Sequence, residues 1–137
     1  MSPNSPSGTV PGLTRKNKVG LVLAGLLGLL DMTNFVTLPE PDADTQGPPM
    51  AVGIADGVLG VITVLAVVYT WRTLNRTGSR VVAGSRIVSV VSALPAFFVS
   101  GVPAAVVALV AVFTILSVVV IALVLTRPAP EAEAGAA

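Results

Sequence analysis

Four long apolar runs, at 19–38, 50–71, 81–100 and 103–126, alternate with polar or proline-rich segments. Each is close to the ~20 residues a helix needs to cross the hydrocarbon core of a bilayer. Their many valines could suit strands, but the runs lack polar/apolar alternation, and membrane strands are about half as long. The pattern therefore predicts an all-α fold, a transmembrane bundle of four helices occupying 18–127. Residues 1–17 and 128–137, rich in Ser, Pro, Gly, Ala or Glu, read as disordered tails. The segment 39–49 holds Pro39, Pro41, Pro48 and Pro49 and separates the first two spans. A polar stretch over 73–79, ending at Thr77-Gly78-Ser79, reads as the second loop, and Ser100-Gly101-Val102-Pro103 as a tight turn. Pro95 falls inside the third run and is expected to kink it, because it removes a backbone donor and clashes one turn back.

Composition strengthens the membrane reading. Hydrophobic residues make up 53% of a chain of 137, more than a domain this small can hide from water. There is no Cys and no His, which removes thiolate chemistry, the commonest general base and the commonest metal ligand. No phosphate-binding loop, zinc-helix motif or hydrolase elbow is present. No catalytic residue, cofactor or metal ligand is therefore assigned, and the acidic segment around Asp42 and Asp44 lacks the spacing of a calcium loop. No nucleic-acid partner is expected; the bilayer itself is.

Charge then orients the chain. Arg15, Lys16, Lys18, Arg72, Arg76, Arg80, Arg86 and Arg127 all fall on segments that four crossings place on one side, or on helix ends beside them. The opposite side has none, and its first loop carries Glu40, Asp42 and Asp44. Positive residues favour the cytoplasm, so both termini and the second loop are expected there, in a plasma membrane. Those eight residues and Trp71 then act as inner-interface anchors, Arg86 by snorkelling its long side chain to the headgroups. A basic cluster followed by the apolar run 19–30 also resembles a signal peptide, but no small-residue cleavage site follows, and an uncleaved span is the expectation.

Ionisable residues inside membrane spans are expensive and mark candidate sites. Asp31 lies about 10 Å from the outer end of span one and Asp56 about 9 Å from the outer start of span two, at ~1.5 Å per residue. With Asn34 they form a candidate intramembrane polar site, with Thr33, Asn34 and Thr63 as candidate hydrogen-bond partners of the carboxyls. Counted from Arg80, Arg86 stands roughly 10 Å away along the membrane normal, which argues against a direct pair. Ala24 and Gly28 share a stripe with Asp31, while Gly53, Gly57 and Gly60 share a face with Asp56. Small residues at these spacings let helices approach closely. Ser85, Ser89 and Ser92 line one face of span three, where serines most often bond backbone or a neighbouring helix.

The Ala/Val/Gly-rich spans, Leu27-Gly28-Leu29-Leu30-Asp31, the stretch from Arg86 to Phe98 with Leu94-Pro95-Ala96-Phe97-Phe98, and the Pro/Ala/Glu tail together carry a resemblance. The chain resembles small four-span integral membrane proteins of high-GC, actinobacterial-type bacteria. That resemblance implies a bacterial membrane location and no particular activity. The residues themselves favour a non-enzymatic structural or accessory component, packing with itself or within a larger membrane complex. The alternative is a small transporter or a proton or cation conduit using Asp31 and Asp56.

Overall fold

A computed structural model describes residues 12–37 and 50–127. These residues form four α-helices: α1 (Arg15–Thr33), α2 (Met50–Thr73), α3 (Arg76–Ala93) and α4 (Ala104–Leu125). Among the described residues there is no strand. α2, α4 and the stretch Arg76–Phe97 are long and apolar enough to cross a membrane. α1 carries Arg15, Lys16, Lys18 and Asp31 within its 19 residues and is not among them. Leu38, the 39–49 segment and both outer tails lie outside the described residues.

Local chemistry sets the helix ends. α1 starts four residues before its apolar run because Thr14 and Asn17 close a capping box. Asn17 N–H donates to Thr14 Oγ at 3.2 Å, and Thr14 N–H donates to the Asn17 side chain at 3.1 Å. The supposed tail boundary at residue 17 is therefore too late: Arg15 to Asn17 are helical, and Asn17 is buried. At the other end α1 stops at Thr33, and 34–36 form a turn.

The second connection is also shorter than its polarity suggests. α2 and α3 are separated by only Leu74 and Asn75. Leu74 takes a φ of +54°, the left-handed step that reverses the chain. Asn75 then caps α3 by accepting from the Thr77 N–H at 3.0 Å. Thr77-Gly78-Ser79, expected in a loop, is instead the first turn of α3. Gly78 is in place there for packing, since it lies directly against the Thr70 side chain. Pro95 does not kink a continuing helix. The α-helix ends at Ala93 and tightens into a 3-10 turn, Leu94–Phe97, with Pro95 in its first positions, where a missing N–H is tolerated.

Each helix packs on its neighbour in the chain, and α4 closes back on α1. The interior is rich in small and hydroxylated residues, Ala24, Thr63, Ala66, Thr70, Ser85 and Ser117, packed with Leu21, Leu27, Val82, Val120 and Val124. Most of the large aliphatic side chains point the other way, as Leu65, Val91, Leu109 and Ile115 show, each more than half exposed. A water-soluble protein distributes them in reverse. Small residues inward and aliphatic residues outward is how helices pack in lipid.

Candidate functional site

Close backbone approach brings the polar residues together. A Cβ at Gly60 would sit 2.6 Å from the Gly28 carbonyl oxygen and 2.9 Å from Asp31 Cβ, so α1 and α2 touch main chain to main chain. Ala24, Gly28, Gly57 and Gly60 are buried; Gly53 is only half-buried. Gly57 receives the ring of Phe35, which a Cβ there would meet at 2.6 Å.

The register between α2 and α3 comes from hydroxyl contacts. Thr63 Oγ and Ser85 Oγ share a hydrogen bond of 2.8 Å, and Thr70 packs on Gly78. On that register residue 86 faces residue 62. Asp31, packed on Gly60, is then two residues away, about 3 Å of helix rise. Arg86 accordingly donates from Nη2 to the Asp31 carboxylate and forms an ion pair with it. This corrects two expectations: a direct pair does form, and Arg86 is not a snorkelling anchor but the largest of the fully buried side chains described, 1% exposed. The error came from measuring depth from Arg80 as though it began the helix. α3 begins at Arg76, and packing contacts, not the loop, set its level.

Asp56 lies four residues before Gly60, one turn further along than Asp31. It joins Asp31, Asn34, Arg86, Thr114 and Ser117 around a half-open cavity of about 500 Å³, whose remaining wall includes Leu30, Val90, Leu109, Val110 and Phe113. All three residues of the candidate polar site thus line one space. Thr33 and Thr63 do not serve the carboxyls, because their hydroxyls donate to backbone at Leu30 (2.6 Å) and Leu59 (2.7 Å). Among the described residues Asp56 has no hydrogen-bond or ion-pair partner, and the buried Arg86 Nε and Ser89 Oγ have none either. No group of acidic side chains able to hold a metal ion occurs among the described residues.

The remaining basic residues cluster at the opposite end. Arg15, Lys16, Lys18, Arg72, Arg80 and Arg127 are exposed there and Arg76 is half-buried, with Trp71 46% exposed beside them. One polar residue at that end escaped sequence reasoning. The Asn17 side-chain amide donates to the carbonyls of Leu123 (2.9 Å), Val124 (3.0 Å) and Thr126 (3.0 Å), tying the start of α1 to the end of α4. The available signal was Thr14 three residues before Asn17, a capping pattern hidden inside a basic cluster.

Comparison with known proteins gives no match, whether to family models, to curated proteins or to solved structures.

Proposed function

We propose that the chain is a non-enzymatic, four-span protein of a bacterial plasma membrane, an accessory component that packs with itself or within a larger membrane complex. The observation that supports this best is the division of its surface. Aliphatic side chains cover the outside of the helices, and every Lys and Arg except Arg86 lies at one end. A lipid-facing belt with a one-sided basic rim fits a multi-pass protein with both termini cytoplasmic. α1 crosses in this reading because its single acidic residue is neutralised by Arg86 rather than exposed to lipid. Reporter fusions after Arg127 and between Leu74 and Asn75 should read cytoplasmic, and one within 39–49 external. An external C-terminus would end the four-span reading. Extraction in native nanodiscs should give a particle larger than one chain; a monomer would end the accessory reading.

A second reading, a small transporter or cation conduit, draws on the cavity that Asp31 and Asp56 share. Its test is proton or cation flux in proteoliposomes. Absence of flux at every pH from about 5 to 8 would remove it for the protein acting alone.

A further inference from the structure

We propose that the cavity between Asp56 and Arg86 binds an apolar primary amine carrying a neighbouring oxygen acceptor, a solute of the amino-alcohol or amino-acid-amide type. The inference deepens the second reading by naming a solute class, and it rests on the same cavity.

Three properties of that space specify three parts of the ligand. The first is charge. Two carboxylates, Asp31 from α1 and Asp56 from α2, face a single guanidinium, Arg86 from α3; α4 contributes only the hydroxyls of Thr114 and Ser117 and apolar groups. Arg86 is committed to Asp31, so with all three ionised one negative charge remains, at Asp56. Charge left unpaired in a membrane interior is costly, and one ammonium group balances it.

The second property is an orphaned donor. Arg86 is 1% exposed, and among the described residues its buried Nε–H has no partner. A guanidinium N–H in such a place calls for an acceptor. A second full anion would restore the imbalance that the ammonium removes, so a neutral hydroxyl or carbonyl oxygen fits better.

The third property is the wall. Leu30, Val90, Leu109, Val110 and Phe113 supply the apolar part of the lining. At about 500 Å³, the space falls within the range of small-molecule sites, where mostly apolar walls carry a few convergent polar groups. A bare alkali cation or a lone proton would leave most of it unfilled; an aromatic or branched aliphatic body would not.

The test uses the full chain in lipid nanodiscs and three probes of nearly equal size, with empty nanodiscs correcting for partition into lipid. Phenylalaninol has all three parts, phenethylamine lacks the oxygen, and 3-phenylpropanol lacks the ammonium. Phenylalaninol should bind saturably, and each truncated probe should bind about tenfold more weakly, the usual effect of losing a hydrogen bond to a charged group. Asp56→Asn, which keeps shape but not charge, should reduce phenylalaninol affinity about tenfold or more and leave 3-phenylpropanol unaffected. The probe series stands even where that variant fails to fold. Equal binding of phenylalaninol and 3-phenylpropanol would overturn the proposal, as would a lack of saturable binding. Binding is read without transport, so phenylalaninol binding in a protein with no flux would remove the conduit and retain the site.

Discussion

The two ends of this molecule solve the same packing problem by different means. At the end holding Asn17, Thr70 and Val124, the charged side chains stay at the rim, and the buried polar ones are neutral and hydrogen-bonded apart from the Ser79 hydroxyl. Asn17 spends its amide on the carbonyls of Leu123 and Val124 in α4 and of Thr126 just after it, and Thr70 returns its hydroxyl to the Ala66 carbonyl at 2.7 Å. At the end holding Asp31, Asp56 and Arg86, the groups are charged, unequal in number and only partly paired around an open space. Satisfied neutral networks rigidify a fold, whereas partly satisfied charged ones leave groups available to something else. The difference separates a structural clamp from a candidate site within a single small fold.

The comparison can be broken most decisively at the ion pair. Asp31→Asn removes the carboxylate paired with the buried Arg86 guanidinium, and unfolding in detergent should show a loss of about 3–5 kcal/mol. Adding Arg86→Gln should restore at least half of that. A double variant no more stable than the single one would show that the pair contributes something besides mutual neutralisation.

A smaller effect distinguishes the glycines between α1 and α2. Gly60→Ala drives a methyl onto the Gly28 carbonyl, which is backbone and cannot step aside, and should cost about 1–3 kcal/mol by overpacking. Gly57→Ala meets the Phe35 ring first, itself 39% exposed and able to swing away. Its cost should be the lesser, and Gly57→Leu should fall between the two or above them. Equal melting temperatures for Gly60→Ala and wild type would mean the two backbones do not touch.

At the clamp, Asn17→Ala removes the side-chain half of the capping box and the tether to α4, leaving the Asn17 N–H bonded to Thr14 Oγ. A loss of about 1–2 kcal/mol, typical of removing buried hydrogen bonds, is expected, with hydrogen exchange rising first at the start of α1 and the end of α4. Exchange that rises instead around Asp31 would place the stabilising contact at the wrong end. Gly84→Ala should have the smallest effect and the opposite sign. No described residue lies within 4 Å of a Cβ there, so the helix gains about 0.5–1 kcal/mol by losing a mid-helix glycine. A melting temperature below wild type would reveal an unseen neighbour on that face.

Much of this was legible in one dimension. The lengths and monotony of the apolar runs determined helices rather than strands, because only a helix satisfies its own backbone over 20 residues of apolar sequence. Glycine and alanine spacing marked the α1–α2 contact, since small side chains at a helical repeat predict close approach whatever the partner. The scarcity of charge inside the runs made Asp31, Asp56 and Arg86 conspicuous. Which of them pair was not legible. A sequence gives rise along one helix but not the relative height of two, and that height depended on Thr63 meeting Ser85 and Thr70 meeting Gly78. Those contacts, a two-residue reversal at Leu74-Asn75 and the capping of α1 by Asn17 placed Arg86 beside Asp31. The sequence by itself determined that three charged residues fall within the apolar runs; tertiary packing alone decided that Arg86 is buried against Asp31 and that Asp56 faces an open cavity.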